Sequence, residues 1–330
     1  MIVTLHIGLP KTATTVLQAR LAANASELRL HGVDYPDLFR DNKEGIAHHK
    51  IPELVRSENK EDRNAAIQDI LSCIKTAPFD RIVFSSEDMS NLLAPRYADT
   101  FWELVHALQS TADLSVVVAL RRLDQMFESM YLHSTKTGEI AIDIDAYMSQ
   151  RHTWGANFFE KLATLRALCG KDRLHLIKYA KSGSYIVQIL AALGVDEAWL
   201  VAEKTSKART NSKLAFKQQV TLYHLPEINQ SLGTQIARGQ LIRAFESGEL
   251  TFPEDSTDYS VIPPLWSLYY QESSLRWAIH HGVLEYYDAF SATEVPKRLA
   301  TLLDISALSI RDYCLLHAWH LRQPAKEERA

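Results

Sequence analysis

Residues 2–15 read IVTLHIGLPKTATT, and this stretch decides the fold. Residues 2–7 are mostly β-branched and apolar and are followed by Gly8 and Pro10, which is typical of a buried strand that ends in a tight loop. Residues 12–23 carry apolar side chains at helical spacing and predict a helix. A strand, a short loop and a helix in this order indicate an α/β fold.

The same alternation continues along the chain. Short apolar segments predict strands at 81–85, 114–120 and 174–179. Helical periodicity is found at 61–75, 96–108, 124–133 and 184–193, and residues 32–51 are predicted to be mostly loop. Buried strands that alternate with helices predict a P-loop-like three-layer α/β fold, in which a central parallel sheet is flanked by helices.

The pattern becomes almost purely helical after about residue 210. We therefore expect an α/β domain over residues 1–215 and a helical C-terminal extension over residues 216–330 that packs on it. The many Trp and Tyr residues of this extension are either its core or the lining of an acceptor groove. No internal repeat is visible.

Composition excludes several classes of protein. The 330 residues are 46% hydrophobic with a net charge of −4, which excludes a disordered chain and argues against a surface that coats nucleic acid. The first residues lack the features of a signal peptide, and no apolar run is long enough for a membrane span, so we expect a cytoplasmic protein. Three widely spaced cysteines, Cys73, Cys169 and Cys314, predict neither disulfides nor a zinc site.

The loop after the first strand is predicted to bind an anion. The N-terminus of a helix offers unpaired N–H groups and a positive dipole end, and Lys11, Thr12, Thr14 and Thr15 add a charge and hydroxyl donors there. A Walker-type phosphate loop would need a glycine where Pro10 stands, and proline has no N–H to donate to a phosphate. The sequence therefore disfavours a P-loop-type kinase.

The segment PKTATT, residues 10–15, resembles the PKSGTT or PKTGTT loop of sulfotransferases that use 3′-phosphoadenosine 5′-phosphosulfate (PAPS). Together with GVDYP and SSED further on, it is similar to bacterial carbohydrate-type sulfotransferase-like proteins over residues 1–215. The chain departs from the pattern at Ala13, where the family usually has Gly. Because Ala is small, we expect the loop to survive with less conformational freedom.

The resemblance implies a second motif for the donor's 3′-phosphate. Arg121 ends the predicted strand 114–120, and Ser129 follows eight residues later, as the Arg and Ser of the family do; Arg122 offers a second cation. The segment 204–217 contains five Lys or Arg and no acid. It is either a solvated face or a basic loop that closes over the 3′-phosphate or an acidic glycan, with Lys207 and Arg209 as the best-placed candidates.

The resemblance also implies the chemistry. Thr12, Ala13 through its N–H, Thr14 and Thr15 would hold the phosphosulfate of PAPS, and Lys11 would stabilise the leaving phosphate. The sulfuryl group would pass in line to a hydroxyl or amine, expected to belong to a carbohydrate or glycolipid, and adenosine 3′,5′-bisphosphate would be released. No metal is expected.

Three residues are candidates for the general base. Glu87 follows the predicted strand 81–85, while His48 and His49 lie in the preceding loop region. Histidine has the better ordinary pKa for a base near neutral pH. A nucleotide-binding module of the same fold without transfer activity is the main alternative function.

Overall fold

The computed structural model describes residues 1–41, 45–93, 97–140, 142–180, 184–200, 213–257, 259–262, 264–283 and 308–323. Within them, five strands form one sheet in the order β2-β3-β1-β4-β5. The strands are β1 (Ile2–Gly8), β2 (Val33–Asp34), β3 (Arg81–Ser86), β4 (Asp113–Leu120) and β5 (Leu174–Lys178). Every pairing is parallel, so the predicted α/β class with a central parallel sheet is confirmed.

Fourteen α-helices lie in the described residues. In chain order they are α1 (Thr14–Ala23), α2 (Ala25–Leu30), α3 (Lys50–Val55), α4 (Lys60–Thr76), α5 (Ala98–Gln109), α6 (Leu123–Thr137), α7 (Ile144–Ser149), α8 (His152–Cys169), α9 (Ser184–Ala192), α10 (Phe216–Tyr223), α11 (Leu225–Leu232), α12 (Arg238–Ser247), α13 (Pro264–His280) and α14 (Ile310–Leu321). Short 3-10 helices cover Glu87–Leu93, Lys171–Arg173 and Glu197–Trp199.

The chain divides into two compact units. The first contains Met1–Met126, His152–Arg209 and Tyr270–Thr293, and the second contains Phe127–Arg151, Thr210–Tyr269 and Glu294–Ala330. This division differs from the single boundary predicted near residue 215, because each unit takes segments from both sides of that position.

The sheet of the first unit is covered on both faces. Seven of the eight residues of β4 are buried, although successive side chains point to opposite faces. Val117 and Ala119 belong to an apolar cluster with buried residues of α1, α2 and α9. β4 also contacts α5 and α8. This burial fixes the sheet as a rigid support for the loops that follow its strands.

The second unit is helical and is held together by apolar packing and by ion pairs. Lys136 of α6 contacts Glu246 of α12 at 2.6 Å. Lys217 of α10 contacts Asp312 of α14 at 2.9 Å, and the Asp312 side chain is almost fully buried. A buried pair of this kind is costly to break from one side, since it leaves an uncompensated charge.

The elements differ from the sequence predictions at two places near the sheet. Residues 32–51, predicted to be mostly loop, contain the short strand β2 and the first residues of α3. Helix α1 begins at Thr14 rather than at Thr12, because Lys11 and Ala13 have left-handed backbone conformations. In the described residues, no helix is both long enough and apolar enough to cross a membrane.

Candidate functional site

The candidate site lies at the carboxyl edge of the sheet. Because the strands are parallel, the segments that follow β1, β3, β4 and β5 all begin at this edge. The chain leaves β1 toward β2 on one side and leaves β4 toward β5 on the other. In open parallel sheets, ligands bind in the crevice where connections part in this way. The β1–α1 loop, residues 9–13, begins at this edge.

The backbone of the β1–α1 loop is strained. Lys11 has φ 65° and Ala13 has φ 56°, both in the left-handed region. For a residue with a Cβ atom this conformation costs about 1–2 kcal/mol. Ala13 is the N-cap of α1, and its side chain makes no capping hydrogen bond. Strain of this kind persists only where the surroundings impose it, and it is common at ligand sites.

Three carbonyl groups of the loop are held by donors. The Thr12 hydroxyl donates to the Leu9 carbonyl at 2.6 Å. Arg121 Nη1 donates to the Lys11 carbonyl at 2.8 Å, and the Tyr185 hydroxyl donates to the Thr12 carbonyl at 2.9 Å. These bonds hold the three carbonyl groups within the protein, while the N-terminus of α1 carries the positive end of the helix dipole.

The Arg121 and Tyr185 donors are supported by an aromatic contact. The Arg121 guanidinium carbon lies 5.5 Å from the centre of the Tyr179 ring. The rings of Tyr179 and Tyr185 meet edge to face at 5.1 Å, and Tyr185 is buried. Sequence reasoning missed both tyrosines. Their positions in the sequence could have indicated them, because Tyr179 directly follows β5 and Tyr185 is the second residue of α9.

The side chains of the loop divide into two groups. Thr12 and Thr14 are buried, whereas Ala13 and Thr15 are exposed and Lys11 is half-buried. The Thr12 proton is used within the loop, as described above. Of the three hydroxyls predicted to face an anion, only that of Thr15 therefore belongs to an exposed side chain.

Thr14 connects the loop to the segment that follows β3. Its hydroxyl donates to Glu87 Oε2 at 2.7 Å. Gly8 leaves the space for this contact, because a Cβ there would lie 2.1 Å from Thr14 Cγ2 and 3.6 Å from Glu87 Cα. Glu87 is the first residue of the 3-10 helix Glu87–Leu93, so the structure brings this predicted base to the first turn of α1.

His49 contacts the same segment. Its Nδ1 atom lies 2.8 Å from Ser86 Oγ and 3.6 Å from Asp88 Oδ2. Asn91 Nδ2 in turn donates to Asp88 Oδ1 at 3.2 Å. The His49 side chain is 26% exposed, so its ring remains open to solvent beside a carboxylate.

His48 has a different environment. The Ser85 N–H donates to His48 Nδ1 at 3.1 Å, and His48 Nε2 lies 2.9 Å from the Pro36 carbonyl. Full burial lowers the pKa of His48 to about 3, because a charged ring would lose its hydration. Both nitrogens of the neutral ring are occupied by the backbone. His48 therefore has no nitrogen available to a substrate in this arrangement.

A second buried histidine, which sequence reasoning did not single out, lies beside Ser85. His6 Nδ1 is 2.8 Å from Ser85 Oγ, and Gln18 Nε2 donates to the same oxygen at 3.2 Å. Burial lowers the pKa of His6 to about 4. Ser85 thus contacts both buried histidines and ties β3 to β1 and α1.

The predicted residues of the 3′-phosphate site belong to different elements of the chain. Arg121 is half-buried and holds the β1–α1 loop. Arg122 forms two hydrogen bonds to the buried Asp124, at 3.1 and 2.6 Å, which neutralise its charge. Ser129 is a half-buried residue of α6 in the second unit, so its pairing with Arg121 stays a prediction. Lys207 and Arg209 lie outside the described residues.

The end of the basic segment 204–217 is described in the second unit. Lys217 is bound by Asp312 and by the Pro253 carbonyl, at 2.9 Å each. This end of the segment therefore contributes to the packing of the helical unit. In the part of the chain that the structure describes, no group of three or more His, Cys, Asp or Glu side chains could hold a metal ion.

No protein-family model matches the sequence, and no curated protein matches it. Among solved structures, a sulfotransferase domain from the curacin biosynthetic pathway is similar at 16% sequence identity with a TM-score of 0.39. The similarity covers 86% of this chain and 97% of that domain.

Proposed function

We propose that this protein is a sulfotransferase that uses PAPS as sulfuryl donor. The observation that carries the proposal is the geometry of the β1–α1 loop. It combines a helix N-terminus, two left-handed residues, three carbonyls bound by donors, and Lys11, next to a carboxylate that Thr14 holds. Such a loop suits a ligand with two adjacent anionic groups.

We propose PAPS rather than a nucleoside triphosphate as the ligand because of the residue at position 10. In a Walker loop, backbone N–H groups surround the phosphates, and Pro10 has none to offer. The motif of residues 10–15 resembles that of PAPS-dependent enzymes at every position except Ala13. The left-handed conformation of Ala13 is the one that a glycine at this position would adopt without strain.

PAPS supplies a sulfuryl group bound to a phosphate leaving group. In the transfer, a bond forms between the acceptor oxygen or nitrogen and sulfur, and the bond between sulfur and the bridging phosphate oxygen breaks. Lys11 would stabilise the negative charge that collects on that oxygen, and Thr14, Thr15 and the N–H groups of the first turn of α1 would hold the remaining oxygens. A general base would take the acceptor's proton.

We assign the base to Glu87, with His49 as the second candidate. Glu87 is attached to the loop through Thr14, so it lies beside the proposed donor site. His49 lies near Asp88 and Ser86 and keeps an exposed edge. His48 is not retained for this role, because its ring nitrogens are both bound to the backbone.

The remaining parts of the proposal follow the sequence resemblance. Arg121 and Ser129 would bind the 3′-phosphate, and Lys207 and Arg209 are candidates to close over it. The acceptor would be a hydroxyl or amine of a carbohydrate or glycolipid, and the protein would act in the cytoplasm.

Two measurements test the proposal. Calorimetry should detect binding of adenosine 3′,5′-bisphosphate, and ATP with magnesium should not displace it. Transfer of radiolabelled sulfate from PAPS to a panel of sugar and glycolipid acceptors should give product. Failure to bind the bisphosphate at high micromolar concentration would refute the proposal. Binding without transfer to any acceptor would favour the inactive nucleotide-binding module, and displacement by ATP would favour a kinase.

A further inference from the structure

The Thr14 hydroxyl has one proton and two potential acceptors. In the structure it donates to Glu87 Oε2 at 2.7 Å, and a hydroxyl has only this one proton to give. Thr14 is the first residue of α1, and side chains of a helix lean toward its N-terminus. An anion bound there would be a second acceptor for the same proton.

Packing limits how Thr14 can respond. Its Cγ2 atom lies against Gly8, at a place where a Cβ on Gly8 would approach to 2.1 Å. Thr14 is 2% exposed, so water does not readily replace either acceptor. A Thr14 hydroxyl that donated to an anion would have to leave the carboxylate, because it cannot donate to both at once.

We infer that Thr14 is a switch between Glu87 and the donor anion, so that donor binding releases the Glu87 carboxylate for the acceptor. This inference rests on the proposed function. Before the donor binds, the carboxylate is occupied by the Thr14 proton. After the donor binds, Thr14 donates to an oxygen of the phosphosulfate, and Glu87 loses a hydrogen bond while it gains an anionic neighbour. Both changes make a carboxylate a better proton acceptor.

The switch gives the enzyme a defined order of events. The base becomes available only when the nucleotide is bound, and Glu87 competes with the nucleotide for Thr14 until then. Glu87 must therefore weaken donor binding, although it serves the transfer step. A group with only a structural role would not have these two opposite effects.

A double-mutant cycle on binding of adenosine 3′,5′-bisphosphate tests the inference by calorimetry. Glu87→Gln should tighten binding roughly fivefold, because it removes a negative charge and weakens the competing hydrogen bond. Thr14→Val should weaken binding, and it should weaken it more in the Glu87→Gln background than in the wild type. Glu53→Gln, which changes an exposed carboxylate of α3, is the matched control and should leave binding unchanged.

Thr14→Ser keeps the hydroxyl and should reproduce wild-type coupling to Glu87, which separates the switch from loss of packing. Circular dichroism checks that each variant is folded. Unchanged or weaker binding by Glu87→Gln, or strictly additive effects of the two substitutions, would overturn the inference while the proposed function stands. A wild-type protein that does not bind the bisphosphate would overturn both.

Discussion

The segments after β1 and after β3 leave the same edge of the sheet but are built in opposite ways. After β1, the backbone is the functional part: Lys11 and Ala13 are left-handed, and their loop is held by Arg121 directly after β4, by Tyr185 of α9 and by the loop itself. At the end of β3, the side chains of Ser85 and Ser86 contact His6 and His49, and the Ser85 N–H donates to His48. The difference indicates that one segment shapes an anion site and the other supplies proton chemistry beside it.

The largest expected effect concerns the charge in the β1 segment. Lys11→Ala should lower the transfer rate by about 100- to 1000-fold, since the charge that Lys11 meets develops in the transition state. Affinity for adenosine 3′,5′-bisphosphate should fall by less than about tenfold. Single-turnover transfer and calorimetry measure the two quantities. Lys60→Ala, at an exposed lysine of α4, is the control. Equal losses in both quantities would assign Lys11 to binding alone.

The two buried histidines that contact Ser85 of β3 should instead affect the pH dependence of stability. The folded pKa values of His6 and His48, about 4 and about 3, lie below the ordinary 6.5. At a pH between the folded pKa and the ordinary pKa of a histidine, the unfolded chain binds more protons than the folded chain. The free energy of unfolding therefore falls as the pH falls below 6.5. Each histidine contributes a slope of about 1.4 kcal/mol per pH unit, or about 2 kcal/mol between pH 6.5 and 5.

Urea unfolding at pH 7, 6 and 5 measures this slope. His48→Gln should reduce it by about half, provided that the variant is folded at pH 7. A stability that is constant between pH 7 and pH 5 would contradict the buried neutral state of both rings.

A smaller effect is expected where the loop is held from outside. Tyr185→Phe leaves the Thr12 carbonyl without its donor and should cost about 1–2 kcal/mol of stability. It should also weaken bisphosphate binding roughly fivefold, about 1 kcal/mol, because the loop is less well ordered. Calorimetry and urea unfolding measure the two effects.

Tyr131→Phe is the matched control. Tyr131 is also a buried tyrosine whose hydroxyl donates to a backbone carbonyl, that of Ile142 at 3.1 Å, but it lies in the second unit. Its substitution should lower stability without changing affinity. If the two variants bind the bisphosphate equally well, Tyr185 does not shape the site.

The smallest effect concerns the strain itself. Ala13→Gly should raise the free energy of unfolding by about 0.5–1 kcal/mol, because glycine adopts the left-handed conformation without a Cβ clash. Ala19→Gly in the interior of α1 should have the opposite sign, a loss of about 1 kcal/mol. Thermal or urea unfolding compares the two. A loss of stability on Ala13→Gly would show that the loop is not strained at this position.

Local patterns predicted four of the five strands and the position of the loop, because buried strands and helices have characteristic periodicities in short windows. They did not predict the conformation of Ala13, which looks like an ordinary helix former in sequence. They also placed His48 beside His49 as an equal candidate, since adjacency in sequence does not reveal which ring points into the core. Tyr185 lies 173 residues from Thr12, and only the folded sheet brings them together.

The three carbonyl bonds of the β1–α1 loop also determine what the isolated segment could do. A peptide of residues 1–23 would keep Lys11, Thr12, Thr14 and Thr15. It would lack Arg121 and Tyr185 and would have no reason to hold Lys11 and Ala13 in the left-handed region. Its affinity for an anion would be lowered by the entropy of ordering the loop at each encounter. In the intact protein that ordering is complete once the chain has folded.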